Sequence, residues 1–200
     1  QPNPRVQIDH VVTGARLEHL SLEEGWIRVT GKGRKTRLVP AGAEACQALA
    51  RYLIDHPEAV RGKRVLDLAA GSGLVGIAAA LAGAAETSAN DIDPMCEAAV
   101  ALNAELNGVS IRYVAGNLLD TSPPDFDVIV AADVFYEQRP AQMFRAFLER
   151  CHASGITIFA GDPGRTYFPR DAFRQAAEYS VETTTEIENH PVQTARVWTL

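Results

Sequence analysis

The stretch VLDLAAGSGLVGIAAA, Val65–Ala80, decides how the chain is read. It opens with a short apolar run, passes the glycines Gly71, Gly73 and Gly76, and continues in an alanine-rich segment. An apolar run of this length that ends in glycines reads as a buried strand, and the segment after it as a helix. The glycines satisfy the G-x-G-x-x-G spacing, in which a tight turn presents the backbone N–H groups of a helix N-terminus to a ligand. That spacing fits cofactors that carry a pyrophosphate and cofactors that do not. The residues on either side separate the two.

Asp67 lies four residues ahead of Gly71. A fixed carboxylate there repels a pyrophosphate and suits a ligand with a positive end. S-adenosylmethionine has an ammonium and a sulfonium, and no phosphate. Asp67 also reads as a capping residue. Asp91 lies twenty residues after Gly71, at the end of the second strand, where a carboxylate accepts hydrogen bonds from both hydroxyls of a ribose. Asp93, beside Pro94, reads as a cap of the helix that follows. Asn117 follows the third strand, and its amide either reaches an adenine amino group or closes an Asx turn. The residues expected at S-adenosylmethionine are Asp67, Ala69, Gly71, Gly73, Asp91, Ile92, Asn117 and Leu118.

Outward from this stretch, strands and helices alternate. Strands are expected at Arg64–Ala69, Glu86–Asp91, Ile111–Ala115, Phe126–Asp133 and Gly155–Gly161. Helices are expected at Gly73–Ala82, Pro94–Asn107, Pro140–Cys151 and Asp171–Glu178. Ser180–Glu188 and Val192–Leu200 read as an antiparallel pair at a sheet edge. The pattern predicts an α/β fold, a doubly wound and mostly parallel seven-stranded sheet with a C-terminal antiparallel hairpin. Toward the front, Ala43–His56 reads as a helix, and Trp26–Thr30 and Thr36–Val39 as a hairpin around GKGRK. The expected division is an N-terminal extension over 1–42 and one α/β domain over 43–200.

The totals narrow the class. A formal charge of −6 argues against a nucleic-acid partner, because phosphate contacts need a basic face. The basic run Lys32–Arg37 reads as a solvated hairpin. No apolar stretch approaches the ~20 residues of a membrane span, and none reads as a signal peptide. Three cysteines without metal spacing suggest a reducing compartment. The expectation is a soluble, cytoplasmic monomer.

Over about three quarters of its length the chain resembles the seven-β-strand S-adenosylmethionine-dependent protein lysine methyltransferases. Among them it is most similar to those that act on the electron-transfer flavoprotein β-subunit. The resemblance rests on QALARYLIDHP (Gln47–Pro57), the Val65–Ala80 stretch, NDIDP (Asn90–Pro94), LNAELNGV (Leu102–Val109) and DVIVAADVFY (Asp127–Tyr136). GDPGR (Gly161–Arg165) and RVWTL (Arg196–Leu200) also match. It implies methyl transfer to a protein lysine, with Asp133 and Tyr136 as a D-x-x-Y motif lining the lysine channel. The residues allow the same role, since Asp133 ends the fourth strand at the edge where doubly wound folds bind ligands. Asp133 also reads as the cap of a short turn, and GDPGR as a tight turn with Arg165 at the surface. A small-molecule N-methyltransferase acting on a nicotinamide-like amine is one alternative. A non-catalytic methyltransferase-like binding module is another.

Thr13–Leu53 resembles a different family, part of the catalytic domain of tyrosine recombinases. There Lys32 would be the hairpin lysine and Arg16 the arginine of the T-G-x-R motif. The H-x-x-R motif and the nucleophilic tyrosine are absent, so no strand-cleaving activity is expected.

Overall fold

The computed structural model describes residues 16–21, 26–30, 36–40, 44–182 and 192–200. Ahead of residue 44, β1 (Arg16–Ser21), β2 (Trp26–Thr30) and β3 (Thr36–Pro40) form an antiparallel sheet in the order β1-β2-β3. The β2–β3 pairing, with Thr30 opposite Thr36, is the hairpin expected around GKGRK. Lys32 and Arg34 lie outside the described residues. Strand β1, which carries Arg16, was not anticipated.

From residue 44 the elements are α1 (Glu44–Asp55), β4 (Arg64–Leu68), α2 (Leu74–Leu81), β5 (Glu86–Asp91), α3 (Met95–Leu106) and β6 (Arg112–Ala115). They continue with β7 (Val128–Ala132), α4 (Gln138–Ala153), β8 (Thr157–Asp162), β9 (Arg174–Glu182) and β10 (Val192–Thr199). The seven strands β4–β10 form one sheet in the order β6-β5-β4-β7-β8-β10-β9. Strands β6 to β8 of that order run parallel, and β10 is antiparallel to both β8 and β9. The chain begins this sheet at β4, builds outward through β5 and β6, then returns to β7 on the other side. The carboxyl ends of β4 and β7 therefore flank the point where the strand order reverses, the usual ligand crevice of such sheets.

Alternation along the central strands assigns each face its helices. Val65, Val128 and Val130 pack with Leu49 and Leu53 of α1 and with Val75 and Ala79 of α2. Leu66, Ile129 and Ala131 pack on the other face with Phe147 and Leu148 of α4. Covering both faces is what makes β4 and β7 almost wholly apolar. Each fully buried aliphatic or aromatic side chain contributes roughly 1.5–3 kcal/mol. Strand β5 is the polar exception. Thr87, Ser88 and Asn90 are buried, and Asn90 Nδ2 donates to Val114 O and Gly116 O at 2.6 and 2.8 Å. On the other side of the sheet, α1 crosses β8 so closely that a Cβ on Gly161 would run into the Ala45 carbonyl.

One expected element is corrected. Asp171–Glu178, read as a helix, contributes instead to strand β9, which starts at Arg174. Arg, Gln, Ala and Glu favour helix, but β10 offers a full ladder from Arg174 to Glu182, and Ala177, Tyr179 and Val181 turn toward the α1 side of the core. Tertiary pairing overrides the local preference. Residues 183–191, which include the end of the expected strand and the turn, lie outside the described residues. Among the described residues no helix is long and apolar enough to cross a membrane.

Candidate active site

The glycine loop is fixed from three sides. Ala69 leaves β4 at φ 58°, and Gly71 and Gly73 follow at 53° and 80°, a left-handed run in which an alanine is strained. The end of β5 holds the loop. Ala70 N donates to Asn90 O, and Gly71 N to Asp91 Oδ2, both at 2.9 Å. From α3, Asn103 Nδ2 donates to Ser72 O at 2.8 Å. Helix α2 begins after Gly73, which has no side chain to cap it. Asp67 supplies the acceptor from the strand, with Oδ2 taking the Gly76 N–H at 2.7 Å. A carboxylate here meets the positive end of the helix dipole.

Of the two roles read for Asp67, the geometry displays the cap. The residue is 2% exposed and packed against Gly76, and does not stand open to a ligand. Burial pushes its carboxyl up to about 7, against the opposing pull of the Gly76 N–H. A carboxyl whose pKa rises on folding stabilises the fold fully below about pH 4, its unfolded value, and loses that contribution as pH climbs toward 7. Asp67→Asn removes this titration. Unfolding of both proteins in urea at pH 5 and pH 8 should show the variant gaining on the wild type at pH 8, by on the order of a few kcal/mol. An equal difference at both pH values would show that Asp67 is charged throughout.

Asp91 stands where the spacing placed it, at the carboxyl end of β5. Besides Gly71, it accepts the Asp93 N–H on Oδ1 at 3.0 Å. A carboxylate has about four acceptor positions, so these bonds leave it acceptor capacity toward solvent. Asp93 Oδ1 takes the Met95 N–H at 2.9 Å, the helix-entry cap expected of it. Ile92 is 75% exposed, a large apolar side chain left open beside the loop. Burial, followed by Asp91 and Asp93, pushes the Cys96 thiol up to about 12, so it stays protonated. Asn117 closes the Asx turn, with Oδ1 accepting Leu119 N–H at 3.0 Å and Nδ2 donating to Asp120 at 3.1 Å. Of its two expected roles, the local one is the one displayed. Leu118 packs against the core under α4.

The second half of the site lies at the end of β7. Asp133 adopts φ 55°, one of two non-glycine residues with positive φ among the described residues, the other being Ala69. Both strained positions end neighbouring strands at the crevice. The Asp133 N–H donates to Gly161 O at 3.0 Å. Both of its carboxylate oxygens pair with Arg165, Nε to Oδ1 at 2.7 Å and Nη2 to Oδ2 at 2.9 Å. The carboxylate expected to line a lysine channel is therefore paired and does not stand as a bare charge. The pairing also gives GDPGR a role that its spacing could not show. Asp162 ends β8 and is 1% exposed. Its Oδ1 accepts the Gly164 and Arg165 N–H groups at 2.7 and 2.9 Å, and so shapes the turn that aims Arg165. Its Oδ2 has no partner among the described residues, and burial raises its carboxyl above the usual range. Tyr136 is 57% exposed, beside the buried Phe135. Phe135 is locked edge-on against Phe168 at 5.0 Å, which anchors the Asp133–Tyr136 turn. Sequence reasoning missed Asn103, Asp162 and the pairing of Arg165.

A glycine loop tied to the second-strand carboxylate, on a sheet of this order with an antiparallel end, defines the Rossmann-like methyltransferase class. The chain belongs to the ribosomal protein L11 methyltransferase (PrmA) family, whose model matches residues 44–167. The electron transfer flavoprotein beta subunit lysine methyltransferase of Rattus norvegicus is 40% identical over 158 residues, 76% of this chain and 62% of that protein. The chain thus spans about three fifths of the length of these curated relatives. Among solved structures, ribosomal protein L11 methylase from Lactobacillus delbrueckii subsp. bulgaricus superposes with a TM-score of 0.54 at 20% identity, over 78% of this chain and 79% of that one. Magnesium protoporphyrin IX methyltransferase from Synechocystis PCC 6803, with S-adenosylmethionine bound, gives 0.56 at 16% identity over 78% of each. At these identities the likeness speaks to the fold.

Proposed function

We propose that the chain is an S-adenosylmethionine-dependent methyltransferase that modifies lysine ε-amines of a protein, and that the electron-transfer flavoprotein β-subunit is the substrate to test first. The observation that carries this reading is the Asp133–Tyr136 turn at the strand-order reversal beside the glycine loop, in a chain 40% identical to a protein named for that activity. Residues 43–200 are read as the transferring unit and 1–42 as an extension.

The loop suits this cofactor. A Cβ on Gly71 would meet nothing within 4 Å, so the backbone there leaves room for a ligand to approach closely. Asp91 keeps acceptor capacity for the ribose, and the exposed Ile92 offers an apolar platform for the base. When bound, S-adenosylmethionine supplies an activated methyl group. The protein's part is then mainly positioning. A lysine amine, with a pKa near 10.4 in water, must arrive unprotonated to act as a nucleophile. In this reading the Asp133 lone pairs that Arg165 leaves open accept the amine N–H. The exposed Tyr136 borders the channel.

Calorimetric titration tests the cofactor assignment. S-adenosylmethionine and its demethylated product should bind, and NAD and FAD should not. Asp91→Ala should weaken binding by roughly 10- to 100-fold, as removal of a charged hydrogen-bond acceptor does. Asp93→Ala should leave binding almost unchanged and lower stability by about 1 kcal/mol through the lost cap. If NAD binds instead, or if Asp93→Ala proves the weaker binder, the assignment is wrong.

A further inference from the structure

We propose that Arg165 is a positioning residue for amine transfer: by engaging both oxygens of Asp133 it cancels the charge that would hold an incoming lysine as an ammonium, so the amine enters the site neutral. The inference rests on the lysine-transfer reading above and deepens it.

A carboxylate at the end of β7 creates a conflict. It is well placed to hold a lysine, yet an unpaired carboxylate within about 4–6 Å of an amine favours the protonated form, which has no lone pair to donate. The structure resolves the conflict with the forked guanidinium of Arg165, bound at 2.7 and 2.9 Å. A fork of this kind fixes a carboxylate in plane and stays charged at any working pH. The pair presents a neutral surface that still has acceptor lone pairs. The arrangement is supported from both strands. Asp133 is held by Gly161 O in a left-handed conformation, and Arg165 is aimed by the Asp162 turn.

The other charges that face Arg165 do not undo this. Asp162 at the end of β8 and Glu44 at the start of α1 both act on it. Asp162 is buried, and its Oδ1 is engaged by the backbone N–H groups of Gly164 and Arg165 and not by the guanidinium. Glu44 lies at the start of another element, whereas Asp133 bonds the guanidinium directly at 2.7 and 2.9 Å. In the reaction the neutral lysine nitrogen donates its lone pair to the methyl carbon, and the carbon–sulfur bond breaks with its electron pair passing to sulfur. The alkylated nitrogen then releases its extra proton to water.

The test is the pH dependence of kcat for methyl transfer to a purified electron-transfer flavoprotein β-subunit, because kcat reports groups that titrate in the bound complex. Arg165→Gln keeps a planar, hydrogen-bonding side chain without the charge. Its alkaline midpoint should lie higher than that of the wild type by about one pH unit, so that kcat drops about tenfold near pH 8 and recovers toward pH 10. Arg165→Lys retains the charge and should keep the wild-type midpoint. Asp133→Asn placed in the Arg165→Gln background removes the unmasked carboxylate and should bring the midpoint back down. Binding of S-adenosylmethionine should be unchanged by Arg165→Gln. A rate loss in Arg165→Gln with the wild-type midpoint would make Arg165 a merely structural residue and overturn the proposal. A raised midpoint that Asp133→Asn does not reverse would also overturn it. Absence of transfer by the wild type, with cofactor binding intact, would instead remove the lysine-transfer reading and this proposal with it.

Discussion

Gly161→Ala should destabilise the chain by about 3 kcal/mol or more, at or beyond the upper end of ordinary overpacking. The φ of Gly161 is not in the left-handed region, so the backbone itself would accept a side chain. The obstacle is the Ala45 carbonyl, with Leu49 Cβ close behind at 3.1 Å. A methyl group has no rotamer with which to avoid a backbone atom, and the interior is too dense to yield cheaply. Helix α1 would have to lift from β8, opening the contacts of Leu49 and Leu53 with Val128 and Val130. A loss of this size is a large fraction of the 5–15 kcal/mol typical of a whole domain. Gly155→Ala is the natural control. Gly155 has φ 91° but open space around it, so only the backbone strain of roughly 1 kcal/mol applies. Urea unfolding of the two variants should rank Gly161→Ala well below Gly155→Ala, and equal losses would show that α1 does not press on β8 as described. The effect should also reach the site, because Gly161 O holds the Asp133 N–H.

Asp133→Ala is expected to reduce kcat/KM for the protein substrate by roughly 10- to 100-fold, the value of a hydrogen-bond acceptor shared with a charged partner. S-adenosylmethionine affinity should change less than about twofold, since the loop is anchored by Asp67, Asp91 and Asn103 and not by Asp133. Asp133→Asn separates the contributions. Asparagine tolerates the left-handed conformation at φ 55° and keeps one acceptor, whereas alanine is strained there and keeps none. The asparagine variant should therefore be the more active. Equal, severe defects in both would mean that an unneutralised negative charge holds the substrate. Wild-type rates in both would reduce Asp133 to a turn residue.

How far the sequence leads depends on whether a contact is local. Strand β4, the glycine loop and α2 are adjacent in the chain, and their glycines and apolar run define them without tertiary help. Asp91 was legible by the same logic, because one βαβ unit fixes the distance from loop to second-strand end. Asn117 offered two readings because an exposed amide can bond locally or to a ligand, and the local turn is what forms. Arg165 was illegible as a partner of Asp133. The two are 32 residues apart and meet only because β7 and β8 are neighbours and the Asp162 turn aims the side chain. Residues Arg174–Glu178 misled for a related reason, since the ladder with β10 that makes them a strand is formed with residues far along the chain.

The most direct measurement is methyl transfer from radiolabelled S-adenosylmethionine to purified electron-transfer flavoprotein β-subunit, run beside nicotinamide, with the labelled residue located by peptide mass spectrometry. Label is expected on lysine side chains of the protein and none on nicotinamide. Label on nicotinamide alone, or no label on either while S-adenosylmethionine binds, would contradict the lysine-transfer reading.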